Sequence, residues 1–179
     1  MVGALDLGSR GRGFESRYPD LSVTERRIIV LHLVEWIYLQ LDGNLAFYDR
    51  QTKVFNRNWW EYSGRQKYQK KEIYLTMIDL NGLKIANDTL GHEAGDRKVL
   101  RVVDLINSTF EKKILCRLGG DEFLLLTKNN PEAALTNIST LGDFSFGVYH
   151  KKAEEEISVA LKKADELMYA MKRNCPNRR

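Results

Sequence analysis

Gly119-Gly120-Asp121-Glu122-Phe123 sets two carboxylates directly after two glycines, between a strand-like run from Ile114 to Leu118 and another from Phe123 to Thr127. That order reads as a tight hairpin with acids at its tip. Glycine there is expected to supply the positive φ of a two-residue turn, and to let the backbone approach a ligand that a Cβ would hold off. Adjacent acids beside such a gap suit a metal ion held against phosphate, although the same residues also make an ordinary solvated turn. A further acid favours the chemical reading. Asp79 closes the apolar run Ile73 to Ile78, and a carboxylate at that strand's end, paired beside the hairpin, would meet Asp121. Two carboxylates with a backbone carbonyl make a site suited to Mg²⁺.

From Asp79 the chain continues Leu80-Asn81-Gly82-Leu83-Lys84-Ile85-Ala86-Asn87-Asp88-Thr89-Leu90-Gly91-His92-Glu93-Ala94-Gly95-Asp96. This run, followed by the Gly119 to Phe123 motif, resembles the GGDEF-domain family of diguanylate cyclases, which condense two GTP into cyclic di-GMP and release two pyrophosphates. Asp49-Arg50-Gln51-Thr52-Lys53-Val54-Phe55-Asn56-Arg57 is similar to the family's opening D-x-L-T-G-L-x-N-R, with Gln51, Lys53 and Val54 at three usually fixed places. Ser145-Phe146-Gly147-Val148 resembles its later S-x-G-[VI] strand, and Ala164 to Lys172 resembles its closing A-D-x-A-L/M-Y-x-A-K helix.

Carried over position by position, the resemblance implies the following roles. Asp79, the Leu80 carbonyl and Asp121 would ligate Mg²⁺, as two ions, with Mn²⁺ able to replace it. Glu122, beside the catalytic Asp121, would contact metal or take the proton from the ribose 3′-hydroxyl. Asn87 and Asp96 would read guanine, since an amide and a carboxylate match its donor-donor-acceptor edge. Backbone amides near Gly82 and Leu83, with Lys84 and Lys172, would hold the triphosphate. Gly91 and Gly95 would permit a tight loop around the base, with His92 stabilising that loop. A single chain would hold one GTP, so forming both phosphodiester bonds requires two sites facing each other in a homodimer, at least transiently.

The elements that must position these residues follow from periodicity. Strands are expected at 73–79, 113–118, 122–127 and 143–149, and helices at 56–70, 96–110, 131–141 and 154–172. Ile157, Ala160, Leu161, Ala164, Leu167, Met168 and Met171 give the last of these its apolar face. The aromatic residues Trp59, Trp60 and Tyr62 read as core anchors. The order suggests an α+β fold, an antiparallel-rich sheet with packed helices, similar to the ferredoxin-like palm that this family shares with nucleotide polymerases. An N-terminal helix precedes it. Residues 1–21 read as a disordered segment without a signal peptide, 22–44 as helix and linker opened by a Ser22/Glu25 capping box, and 45–179 as the GGDEF domain. The apolar stretch from Ile28 to Leu41 is too short for a membrane span, which takes about 20 apolar residues. It is expected to be buried against its own domain or a second copy; in the family such helices carry sensory input or hold cyclase domains together.

Composition narrows the class without defining it. With 179 residues, 43% hydrophobic, the chain is large enough for one domain with an extension. The net charge of +4 gathers at the ends, in Arg10, Arg12, Arg17, Arg173, Arg178 and Arg179. No recognition helix or RNA-binding signature accompanies it, so nucleic acid is not an expected partner. Cys116 and Cys175 fit neither a disulfide framework nor a zinc site, which points to a reducing cytoplasm.

The chain also departs from the family. The stretch between Phe123 and Ser145 is shorter than family members carry, so a trimmed helix and a looser sheet edge are expected there. The product-inhibition motif R-x-x-D would fall on Phe110 and Lys113 and is absent. Pro176 replaces an arginine usual after the closing helix, leaving Arg173 or Arg178 to substitute. A catalytically silent GTP-binding or protein-interaction module is therefore the alternative to an active cyclase.

Overall fold

The computed structural model describes residues 46–174 and, ahead of them, 22–25, 27, 29 and 30. Contacts divide the chain into Met1–Leu41 and Asp42–Arg179. In the first unit Ser22 and Glu25 form the expected capping box: the Ser22 amide and hydroxyl donate to Glu25 Oε2 at 2.8 and 2.7 Å, and the Glu25 amide donates to Ser22 Oγ at 3.3 Å. Ile29 and Val30, the described members of the apolar run, are exposed. Residues 1–21 and the rest of the run lie outside the described residues.

The second unit is built on a five-stranded sheet. Its strands are β1 (Phe55–Asn56), β2 (Ile73–Leu80), β3 (Lys113–Arg117), β4 (Glu122–Thr127) and β5 (Phe144–Lys151), in the spatial order β1-β3-β4-β2-β5. β2 runs antiparallel to both β4 and β5, β3 and β4 form an antiparallel hairpin, and β1 lies parallel to β3. Without β1, the order and the alternation of strand and helix are those of the ferredoxin-like βαββαβ unit, as the sequence leads one to expect. β1 is the strand that periodicity misses, because a two-residue parallel pair carries no local pattern.

Helices cover both faces. Arg57–Trp59 (α1) continues through a π-helical turn, Trp60–Gly64, into Arg65–Tyr68 (α2). Between β2 and β3 come α3 (Leu83–Leu90) and α4 (His92–Thr109). Between β4 and β5 lies α5 (Glu132–Gly142), and α6 (Ile157–Arg173) closes the unit. One core joins Ile78, Leu80, Phe123 and Leu125 to Val99, Val103 and Ile106 of α4 and to Leu135 and Ile138 of α5. The other joins Leu75, Met77, Leu124 and Leu126 to Trp59, Trp60 and to Ile157, Ala160, Ala164 and Met168 of α6. With apolar partners on both sides, β2 is buried along nearly its whole length, and Thr76 is the buried polar side chain within it before Asp79.

The sheet edge is not loosened by the short segment after Phe123. α5 leads directly into β5, which pairs with β2 along its whole length from Ile73↔Lys151 to Leu80↔Phe144. A fully buried lysine secures the far end of that pair: Lys151 Nζ donates to the carbonyls of Gln69, Lys71 and Lys152 at 2.6, 3.2 and 2.9 Å.

Candidate active site

Register brings the acids of two strands together. Asp79, 6% exposed near the end of β2, lies directly opposite Glu122, the first residue of β4. Directly opposite residues in an antiparallel pair share a face of the sheet, here the face that α6 covers. One step on, the Leu80 amide donates to the Asp121 carbonyl at 3.0 Å, which fixes the backbone of the acidic turn against β2. From α6, Lys172 Nζ donates to Asp79 Oδ1 at 2.7 Å. A buried carboxylate that already holds an ammonium group is a place that demands positive charge, so a metal cation fits it chemically. Among the described residues no three His, Cys, Asp or Glu side chains group as a ready-made metal cluster. Mg²⁺ does not need one, because it uses one or two carboxylates and completes its shell with water and substrate phosphate.

Two arginines hold the acidic turn. Arg57 Nε donates to the Leu118 carbonyl at 2.5 Å, and its guanidinium lies 3.8 Å from Glu122. Arg117 donates to the carbonyls of Gly119 and Gly120 at 3.1 and 2.7 Å, and to Asp49 and Gln51 at 3.1 and 2.7 Å. Three successive carbonyls are thus drawn to guanidinium groups, while the Leu118 and Gly119 amides close on the Glu122 carbonyl at 2.8 and 3.3 Å. Burial pushes the Asp49 carboxyl up, but the Thr52 hydroxyl and amide, with Arg117, outweigh it and hold the group below the ordinary carboxylate range. Asp49 is therefore ionised at neutral pH. Its contribution to stability is present above its unfolded pKa, about 3.9, and is lost as pH falls through the lower folded value.

The glycines of this turn work differently from expectation. Positive φ occurs at Gly82 (63°) and Gly91 (82°), not at Gly119 or Gly120. The loop from Leu118 to Asp121 is longer than a two-residue turn, so its ends close without left-handed backbone. The second expected role stands open: no atom lies within 4 Å of where a Gly120 Cβ would be.

Gly82 is the N-cap of α3, so the first amides of that helix, around Leu83 and Lys84, have no intrahelical acceptor and present a partial positive charge. Asn81 sets the angle of that entry. It is 1% exposed; its amide group donates to the Asp143 carboxylate at 3.3 Å, its Oδ1 accepts from the Ser145 hydroxyl at 2.9 Å, and its backbone amide donates to the Asp143 carbonyl at 3.0 Å.

Where the sequence suggests a loop from Gly91 to Gly95, the chain turns on Gly91 alone and α4 begins at His92. Gly95 is helical, and its smallness serves packing: a Cβ there would stand 1.9 Å from Asn87 Oδ1. The Asn87 carboxamide therefore rests on the residue next to Asp96. The expected base-reading pair thus sits across the α3–α4 corner, Asn87 half-buried and Asp96 exposed.

Residues 46–143 match the family model described as diguanylate cyclase, GGDEF domain. This chain belongs to the GGDEF-domain family. Among its relatives, an uncharacterized protein in the hutH 5′ region of Streptomyces griseus is 32% identical over 71% of this chain and 56% of its own length. The Escherichia coli protein named "Probable diguanylate cyclase DgcJ" is 30% identical over 82% of this chain and 34% of its own length. The chain thus spans about half and a third of these two proteins. The fold is similar to that of the coiled coil and GGDEF domain of DgcB from Caulobacter crescentus in complex with c-di-GMP, with TM-score 0.67 and 21% identity over 88% of this chain and 98% of that one.

Other positions in the GGDEF domain are engaged elsewhere. Lys113 donates to the carbonyls of Phe110 and Asn107 at 2.7 and 3.4 Å, closing the end of α4. Arg173 lies over the Tyr169 ring, 5.1 Å from its centroid, and Arg178 falls outside the described residues. Cys116 is buried, donates to the Asn56 carbonyl at 3.0 Å, and is pushed up by burial to about 12, which leaves it an unreactive thiol. Sequence reasoning did not single out Arg117 or Asn81. Arg117 had a signal, a lone charge ending an apolar strand just before the glycines; Asn81 had none beyond its place in the Asp79 motif.

Proposed function

We propose that this GGDEF domain is an active diguanylate cyclase, condensing two GTP into cyclic di-GMP and two pyrophosphates as a metal-dependent homodimer. The observation that carries the reading is the cross-strand placement of Asp79 opposite Glu122, with the Asp121 backbone tied to Leu80. Asp79, Asp121 and the Leu80 carbonyl would hold Mg²⁺, or Mn²⁺, whose charge stabilises the phosphoryl oxygens and the departing pyrophosphate.

The remaining roles belong to the chain itself. Glu122, steadied by Arg57, accepts the proton of the 3′-hydroxyl. The amides at the start of α3, with Lys84 and Lys172, bind the triphosphate; the first turn of α3 carries no acid to oppose them. Asn87 and Asp96 select guanine through its Watson–Crick edge. Two such sites face each other across a twofold axis, each hydroxyl attacking the other nucleotide's α-phosphorus. No helix of the described residues is long and apolar enough to cross a membrane, and the reaction is assigned to the cytoplasm, where GTP is available.

The full chain incubated with GTP and Mg²⁺ is expected to yield cyclic di-GMP and pyrophosphate in a ratio of one to two, read by chromatography. Glu122→Gln is expected to slow turnover by about 10²–10⁴-fold with the fold intact, and Asp121→Ala to abolish it. GTP binding without product at any protein concentration would make the chain a silent binding module instead. Undiminished product from Asp121→Ala would refute the metal assignment.

A further inference from the structure

We propose that Lys172 is a displaceable counter-ion, neutralising Asp79 in the nucleotide-free protein and releasing that carboxylate to a divalent cation only as the triphosphate arrives. The inference rests on the cyclase reading of this site and adds an order of binding to it.

The Asp79–Lys172 contact is short, 2.7 Å, and the Asp79 side chain is 9% exposed against 37% for Lys172. An ionised carboxylate taken that far from water is costly unless a cation accompanies it. Lys172 meets that need at the expense of the site's other task. A divalent ion and an ammonium group sharing one carboxylate repel at short range unless anionic phosphate lies between them. Bare metal must therefore evict the lysine without recompense, whereas metal arriving with a triphosphate brings the anion to which the lysine can move.

The surroundings make such a move feasible. Lys172 lies in the last turn of α6, next to its final residue Arg173, and its side chain is partly open to solvent. An ammonium on a flexible four-carbon stem exchanges partners more readily than a planar, forked guanidinium. The helix beneath it is fixed: Gly147 lets the α6 backbone at Ala164 and Met168 press onto β5, and Met171 Sδ accepts from the Phe146 amide at 3.3 Å. The stem can swing while its anchor stays in place.

Metal and nucleotide binding should then be positively coupled, and the coupling should weaken when the Lys172 charge is removed. Mn²⁺ affinity of the full chain, measured at pH 8 by electron paramagnetic resonance of free Mn²⁺, tests it with and without a GTP analogue lacking the 3′-hydroxyl. Wild type is expected to bind bare Mn²⁺ weakly and Mn²⁺ with the analogue tightly. Lys172→Met should raise bare Mn²⁺ affinity by roughly tenfold, within the span of ordinary coupling between sites, and shrink the effect of the analogue. Lys172→Arg, which keeps a cation beside Asp79, should leave bare Mn²⁺ binding weak. Asp79→Asn should remove Mn²⁺ binding under both conditions. Bare Mn²⁺ binding unchanged or weakened in Lys172→Met, with analogue-dependent binding intact in wild type, would overturn the exchange alone. Absence of any analogue-dependent Mn²⁺ site in wild type would overturn both the exchange and the cyclase reading.

Discussion

Lys53 holds a left-handed backbone conformation, φ 59°, at the place where the family's opening motif carries glycine. The turn demands it: the Lys53 amide returns to the Asp49 carbonyl at 2.9 Å, and Thr52 bonds the Asp49 carboxylate through both its amide at 2.8 Å and its hydroxyl at 2.7 Å. A side chain with a Cβ loses about 1–2 kcal/mol there. Lys53→Gly is expected to stabilise the protein by about 0.5–1 kcal/mol after glycine's greater unfolded-state freedom is subtracted. Thermal unfolding would show it as a rise of about 1–4 °C, and a fall would refute the strain. At this scale the sequence pointed to candidate residues better than to geometry. Asp79, Asp121 and Glu122 were legible because acids at a strand's end and after paired glycines are locally unusual. Arg117 was not, because its worth lies in four acceptors, two of them on the distant opening loop.

The elements show why glycines of one kind in a sequence do different work. At Gly147 a Cβ would stand 2.2 Å from the Ala164 carbonyl oxygen and the Met168 amide nitrogen, whereas at Gly120 it would meet open space. Gly147→Ala is expected to cost about 1–3 kcal/mol by overpacking and to weaken GTP binding, since lifting α6 moves Lys172. Gly120→Ala should leave stability unchanged and weaken GTP binding alone. Denaturant unfolding and titration with the GTP analogue check the pair, and equal stability losses would contradict this division. Helices and strands with strong periodicity were readable from residue order. β1 was not, because it depends on a partner far away in sequence, Phe55 beside Cys116; the π-helical turn and the start of α4 at His92 were not, because they turn on close side-chain packing, at Gly64 against Trp59 and Trp60 and at Gly95 against Asn87, which leaves no apolar period.

At the scale of the whole molecule, the proposed reaction takes one domain from each of two copies. The proposed chemistry needs two chains, so specific activity should rise with protein concentration and then level off as the dimer saturates. Turnover measured across a dilution series tests this; activity independent of concentration down to the lowest amounts, from protein that sedimentation shows to be monomeric, would contradict it. Fold class was legible because the alternation of strand and helix leaves few topologies. The expected homodimer rests instead on the reaction that the family resemblance implies, since a twofold contact leaves no periodic trace in a single chain.

In the proposed site Asp79 and Asp121 share one divalent ion beside a purine triphosphate. Anomalous scattering from crystals of the protein grown with Mn²⁺ and the GTP analogue tests it most directly. An anomalous peak touching both carboxylates and the triphosphate is expected, with the guanine against Asn87 and Asp96. A peak elsewhere, or the two carboxylates turned to opposite faces of the sheet with no ion between them, would contradict it.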